Sequence, residues 1–157
     1  FIEAQLLYGT KGEVGEGEYT LPLGQADVKR EGTDVTVVAY SKMLLVALEA
    51  AEQLSREGVD VEVIDPRTLK PLDLETIVAS VKKTGRLVIV EEGWRFCGLG
   101  AQIAESIYSA AFDYLDGPIV RVTGEDVPIP YSRPLEDAAI PDVARVVAAI
   151  NTVCGVA

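Results

Sequence analysis

One stretch of the chain, Val35-Thr36-Val37-Val38-Ala39-Tyr40, indicates the class of the fold. It is apolar at nearly every position, which is typical of a parallel strand with both faces covered by helices. Ser41 follows as a candidate helix cap, and apolar residues at helical spacing continue to Gly58, where a helix should end. The stretch therefore predicts a strand that leads into a helix.

The same alternation recurs along the rest of the chain. Further strands are predicted at 59–64, 86–91 and 119–122. Further helices are predicted from Asp73 to Lys83, after Gly100, and from about Pro141. Units of strand and helix that repeat at roughly thirty residues are typical of right-handed crossovers. We therefore predict an α/β fold, an open and mostly parallel sheet of about five strands with helices on both faces.

The composition limits the classes of partner. The chain has 157 residues, of which 48% are hydrophobic and 25% charged, enough for one substantial core. Its formal net charge of -11 argues against binding to nucleic acid or to an anionic membrane surface. No apolar run approaches the roughly 18 residues of a membrane span. A basic protein partner is the more plausible expectation.

Histidine is absent, and the two cysteines are not paired in a motif. The lack of histidine removes the usual general base and most transition-metal sites. Cys97 and Cys154 have no metal-ligand spacing, so we interpret them as reduced thiols of an intracellular protein. The chain also starts without Met, which suggests a piece of a longer protein.

Two features near the end of the third predicted strand could carry chemistry. Glu91 and Glu92 are adjacent carboxylates at a strand end, where α/β sheets often place ligands, but their side chains should diverge. We expect that one of them orders the next loop or faces a neighbouring subunit. Gly98-Leu99-Gly100 could bind a phosphate, although Ile103 replaces the third glycine of a dinucleotide fingerprint. A tight turn is the preferred interpretation.

Other residues suggest contacts with partners. Trp94, Arg95 and Phe96 combine the residue types that are enriched in interface hot spots, although Trp94 could equally anchor the core. Arg67 follows a predicted strand, and we expect it in an intersubunit ion pair. Asp113 and Asp116 follow an apolar helix, where an acid is disfavoured by the helix dipole. They either form a turn or serve a partner.

Four segments, in this order and spacing, resemble one family closely. They are Asp65-Pro66-Arg67-Thr68-Leu69-Lys70-Pro71-Leu72-Asp73, Val90-Glu91-Glu92-Gly93-Trp94, Phe112-Asp113-Tyr114-Leu115-Asp116-Gly117-Pro118 and Arg121-Val122-Thr123-Gly124-Glu125-Asp126-Val127-Pro128-Ile129-Pro130-Tyr131. The family is the beta subunit of the pyruvate dehydrogenase decarboxylating component. The resemblance covers essentially the whole chain.

The resemblance implies a division of the chain. Residues 34–157 should form a transketolase C-terminal domain, 10–33 a linker, and 1–9 the tail of the pyrimidine-binding domain, including its last strand. Thiamine diphosphate and magnesium in this family lie between the alpha subunit and the amino-terminal part of the beta subunit. The resemblance therefore implies no catalytic residue, cofactor-binding residue or metal ligand within this chain.

The resemblance also implies partners. These are the alpha subunit, a second beta subunit, and the basic subunit-binding domain of the dihydrolipoyl acyltransferase. The acid at Asp116 and the terminal carboxylate, at Ala157 here, hold that basic domain in the family, and we place Asp113 with them. Arg67, Glu91, Glu92 and the residues of 94–96 are the expected subunit interface. The compartment would be the mitochondrial matrix or the bacterial cytoplasm.

Several alternatives remain open from the sequence. The chain could derive from a branched-chain or acetoin dehydrogenase beta subunit. It could also be a stand-alone domain that binds a small ligand around Glu91 and Gly98. A deoxyxylulose phosphate synthase has an equivalent domain, but the motif at 121–131 argues against it.

Overall fold

The computed structural model describes residues 1–155 and shows one five-stranded sheet. Its strands are β1 (Asp27–Arg30), β2 (Val35–Ala39), β3 (Val61–Asp65), β4 (Leu87–Trp94) and β5 (Val120–Gly124). They lie in the order β1-β3-β2-β4-β5, and only β1 is antiparallel to its neighbour. The predicted mostly parallel α/β sheet is confirmed.

Helices cover both faces of the sheet. They are α1 (Lys42–Ser55), α2 (Leu74–Thr84), α3 (Leu99–Ala111), α4 (Arg133–Ala139) and α5 (Val143–Cys154). Helices α1 and α5 pack on one face, and α2 and α3 pack on the other. Every residue of β2 is buried, which explains its continuous apolar sequence. No helix within 1–155 is long and apolar enough to cross a membrane.

Two elements, β1 and α4, were not predicted, because their segments are polar or rich in proline. Strand β1 lies inside the expected linker 10–33, where it pairs antiparallel with the edge of β3. An edge strand with one open side tolerates charged residues such as Asp27 and Lys29. Helix α4 lies in the expected proline-rich connection and has Pro134 in its first turn, a position that suits proline.

The predicted helix cap at Ser41 and the strand expected within 1–9 are not observed. Ser41 does precede α1, but its backbone has a φ of 56° and its side chain makes no capping hydrogen bond. By contrast, the Asp73 carboxylate caps α2 by accepting from the amide of Thr76. The expected last strand within 1–9 is not a strand, since the regular structure there is the 3-10 turn Gln5–Leu7. The assignment of 1–9 to another domain stays a prediction.

The parallel strands define two edges of the molecule. Strands β2, β3, β4 and β5 start at one edge, called here the amino edge, and end at the carboxyl edge. Residues 94–98 continue from β4 at the carboxyl edge. Asp116 precedes β5 and bonds to Gly85 just before β4, so it lies at the amino edge. The residues predicted to meet partners therefore fall into two separate groups.

Candidate docking and interface sites

The carboxylate of Glu91 forms the centre of a buried polar cluster at the carboxyl edge. Its side chain is 1% exposed. One oxygen lies 2.7 Å from the guanidinium of Arg121 on β5, and the other accepts the amide of Gly100 at 2.9 Å. Glu91 thereby joins β4 and β5 to the first turn of α3.

Tyr40 completes this cluster from the end of β2. Its hydroxyl donates to the Glu91 carboxylate at 3.2 Å. Burial raises the pKa of Tyr40 far above its ordinary value, and the negative charge of Glu91 raises that pKa further. The phenol therefore stays protonated and serves as a hydrogen-bond donor. Glu91 bonds to the turn that opens α3, which agrees with the expectation that one acid of the pair orders the next loop. Its place at a subunit interface stays a prediction.

The glycine turn is shaped by the same carboxylate. A Cβ added to Gly98 would lie 2.3 Å from the carbonyl oxygen of Trp94 and 2.9 Å from Glu91 Oε1, and one added to Gly100 would lie 2.4 Å from Glu91 Oε1. Side chains are therefore excluded at both positions. Because the Gly100 amide already donates to a carboxylate, it is not free for a phosphate. The geometry favours the tight-turn interpretation.

The loop after this cluster displays aromatic side chains. Trp94 donates its indole N–H to the carbonyl of Val127 at 3.1 Å, and Arg95 reaches the carbonyl of Arg121 at 3.4 Å. Phe96 is 78% exposed. Cys97 has a φ of 54°, which turns the chain back toward α3. The loop is thus anchored at Trp94 and Arg95 and exposes its aromatic tip.

A cleft of about 470 Å³ lies beside this loop. Its walls combine residues of β4 and of the segment around α4: Glu92, Gly93, Trp94, Ile129, Glu136 and Ile140. Ile129 was not predicted as an interface residue, although it belongs to the Pro-Ile-Pro-Tyr motif. Glu92 is partly exposed and lies 3.9 Å from the ammonium group of Lys42.

Arg67 lies apart from the loop residues and has internal partners. Its guanidinium donates to the carbonyls of Gln25 and Ala26, both at 3.0 Å. The backbone of Arg67 has a φ of 53°, and its amide bonds to the Asp65 carboxylate at 2.9 Å. Arg67 therefore fastens the segment before β1, and the structure does not bring it to the cluster around Glu91.

Asp116 is an exposed residue whose backbone is held at the amino edge. Its amide donates to the carbonyl of Gly85 at 2.8 Å. Gly85 has a φ of 69°, and a Cβ there would lie 2.5 Å from the Asp116 carboxylate. Arg86 lies 3.8 Å from the same carboxylate, a weak contact in a largely solvated setting. Asp116 is thus available to a cation from outside.

Two grooves meet at Asp116. One, of about 360 Å³, lies between Arg86 and the end of α5 and reaches Gly155. The other, of about 620 Å³, lies along α3. Asp116 and Gly155, the last described residue, therefore line the same groove. Asp113 is exposed on the 3-10 turn Phe112–Tyr114 nearby, and Ala157 lies outside the described residues.

A magnesium-bound diphosphate would need converging oxygen ligands and free backbone amides. Within residues 1–155, no group of three or more potential metal ligands converges. The amide at the best glycine turn is occupied by Glu91. The described part of the chain therefore does not fit a magnesium-bound diphosphate.

The chain resembles known proteins in both sequence and structure. Residues 24–146 match the model of the family described as the C-terminal domain of transketolase. A solved split-gene transketolase, an inactive beta4 tetramer, superposes with a TM-score of 0.76 and 34% identity. That match covers 92% of this chain and 46% of the other.

Proteins named pyruvate dehydrogenase E1 component subunit beta are similar over nearly the whole chain. The protein of Rickettsia felis is 51% identical over 98% of this chain and 47% of its own length. The mitochondrial protein of Dictyostelium discoideum is 47% identical over 98% of this chain and 44% of its own length. These matches confirm the resemblance predicted from the four motifs. The chain spans about half the length of these relatives.

Proposed function

Because the chain belongs to the family of transketolase C-terminal domains, we propose that it is the assembly and docking domain of a pyruvate dehydrogenase E1 beta subunit. The observation that carries the docking role is the placement of Asp116. Its backbone bonds to Gly85 at the amino edge, and its exposed carboxylate lies beside the end of α5 and between two grooves. An exposed acid in that setting suits a cation on another protein.

The intact enzyme would act on pyruvate. With an alpha subunit it would form an alpha2-beta2 heterotetramer that decarboxylates pyruvate on thiamine diphosphate and reductively acetylates a lipoyl group. Thiamine diphosphate and magnesium would be bound by other parts of that assembly, and this chain alone would bind partners without turnover. Its relatives include mitochondrial and bacterial proteins, so the matrix or the bacterial cytoplasm is the proposed compartment.

The partner at the amino edge would be the subunit-binding domain of the dihydrolipoyl acyltransferase. A basic domain is favoured by the net charge of -11 and by the exposed Asp116 and Asp113. The weak contact with Arg86 leaves Asp116 free to exchange partners. The contact predicted for Ala157, which lies outside the described residues, belongs to the same proposal.

The carboxyl edge would serve subunit association. The exposed Trp94 and Phe96, with Arg95 and Glu92 beside them, lie far from Asp116 at the other ends of the strands. Aromatic residues and arginine are the usual hot-spot residues of protein interfaces. The second beta subunit or the alpha subunit would cover this surface. Arg67 would contribute mainly inside the chain, through its bonds to the segment before β1.

The docking role is tested by calorimetric titration of the subunit-binding domain into this chain. We expect saturable binding that weakens in Asp116→Asn and at raised salt, because the contact depends on charge. Asp137→Asn is the matched control, since Asp137 is an exposed acid that pairs with Arg133 on α4, at the other edge. Absence of binding by a folded wild-type chain would refute the docking role.

A further inference from the structure

An aromatic groove lies next to Asp116 on the surface of α3. It has a volume of about 620 Å³. Its lining residues are Ala104, Glu105, Tyr108, Phe112, Leu115, Asp116, Gly117, Pro118 and Ile119. The rings of Tyr108 and Phe112 pack with centroids 4.8 Å apart and an interplanar angle of 56°. Both rings are more than half exposed, so an apolar surface faces solvent beside the docking acid.

The charges around the groove indicate which kind of partner group fits it. Among the described residues, the lining contains two carboxylates, those of Glu105 and Asp116, and no basic side chain. Glu105 accepts from Gln102 and Ser109 along α3, both at 3.0 Å, and keeps lone pairs for a further donor. Lys82, the nearby cation on α2, lies over the ring of Tyr114. The groove therefore suits an apolar side chain with a positive charge beside it.

A helix of a basic partner can present an apolar side chain and a positive charge side by side. Residues three or four positions apart lie on the same helix face, so one face can present an apolar side chain and a cation together. The apolar groove excludes water from the contact, and the acids at its rim receive the cation. The same groove reaches Asp116, so one helix can contact the ring pair and the acid at once.

We propose that the groove formed by Tyr108, Phe112 and Ile119 receives an apolar anchor from the basic partner helix whose cation binds Asp116. This inference rests on the docking role proposed above. It adds an apolar binding site to a contact otherwise attributed to charge. Apolar burial and charge pairing have different signatures, which allows the two parts to be measured separately.

The test compares five versions of the chain in calorimetric titrations with the subunit-binding domain, at several temperatures and salt concentrations. They are the wild type, Tyr108→Ser, Phe112→Ser, Asp116→Asn and the control Tyr131→Ser. Tyr131 is a fully exposed aromatic residue near the opposite edge. Phe112→Ser provides a second change in the groove, and circular dichroism verifies the fold of each variant.

We expect Tyr108→Ser to weaken binding about tenfold, the size of a hot-spot loss. The heat-capacity change of binding should become less negative, because less apolar surface is buried, while the salt dependence stays as in the wild type. Asp116→Asn should show the reverse pattern, with a smaller salt dependence and an unchanged heat capacity. Tyr131→Ser should bind as the wild type does.

The outcomes separate the two proposals. If the wild type binds and Asp116→Asn weakens binding, but both groove variants bind normally with an unchanged heat capacity, the apolar site is refuted and the docking role stands. An equal loss in Tyr131→Ser would also refute the groove, because the effect would not be local. If the folded wild type does not bind at all, the docking role itself fails, and the groove proposal fails with it.

Discussion

The carboxylate of Glu91 lies 2.7 Å from the guanidinium of Arg121; the side chain of Glu91 is 1% exposed and that of Arg121 is 14% exposed. The two residues belong to neighbouring parallel strands, β4 and β5. Within the described chain, Nε of Arg121 is buried without a hydrogen-bond partner. The buried positive charge therefore depends on Glu91 for its compensation.

Removal of that compensation should destabilise the domain strongly. Glu91→Gln leaves the Arg121 charge buried and unpaired, so we expect the free energy of unfolding to fall by about 3–5 kcal/mol. Urea denaturation measures this change. Glu52→Gln is the control, because Glu52 pairs with Arg56 on the exposed face of α1 and should have almost no effect. Equal stability of both variants would contradict a structural role for the buried pair.

The position of the Glu91 carboxylate should make glycine necessary at position 100. A Cβ there would come within 2.4 Å of Glu91 Oε1 and 3.1 Å of the Ile89 side chain. Gly100→Ala should therefore lower the thermal midpoint by several degrees, although alanine favours helices, because overpacking costs about 1–3 kcal/mol. In Gly117→Ala the new methyl group meets no atom within 4 Å, so the midpoint should stay nearly unchanged. Comparable losses in the two variants would argue against steric exclusion by Glu91.

The strands that could be predicted from the sequence are those whose burial appears in the sequence itself. Strand β2 is buried at every position, so its apolar run predicted it directly. Strand β1 has the sequence Asp-Val-Lys-Arg, which carries no such pattern. It is a strand because β3 offers an open edge, and that edge exists only once the sheet has formed. Tertiary pairing here outweighs local propensity.

The candidate sites, too, could be predicted from the sequence only in part. The period of a strand predicted that Glu91 and Glu92 diverge, and the structure buries the first and leaves the second partly exposed. The partner of Glu91 lies 30 positions further along, at Arg121, and no local pattern connects them. The groove at Tyr108 was likewise missed, because its walls come from α3 and from the segment before β5. Spacing predicts faces, but it does not predict which faces meet.

The buried phenol of Tyr40 should make stability fall at alkaline pH. Burial and the charge of Glu91 raise its folded pKa well above the ordinary value of about 10. Below pH of about 10 the folded and unfolded phenols are both protonated, so its contribution is constant. Above that pH the unfolded chain loses the proton more readily, and stability declines as pH rises.

Tyr40→Phe should therefore flatten the alkaline decline in the free energy of unfolding. At neutral pH the variant loses the hydrogen bond to Glu91, which costs about 1 kcal/mol. Urea denaturation across the alkaline range measures both effects. Tyr131→Phe removes an exposed hydroxyl and should follow the wild-type curve. An alkaline decline as steep in Tyr40→Phe as in the wild type would mean that other groups cause it.

The exposed loop at the carboxyl edge should control association with another subunit. Phe96 is 78% exposed, and the loop that carries it is anchored by Trp94 and Arg95, which lowers the entropic cost of ordering the loop on binding. If this surface is the subunit interface, Phe96→Ser should weaken self-association about tenfold. Sedimentation velocity over a range of concentrations measures the dissociation constant. Val14→Ser, a change at an exposed apolar residue of the segment 10–33, should leave that constant unchanged. A wild-type chain that stays monomeric at every concentration, with or without the alpha subunit, would show that Phe96 serves no such interface.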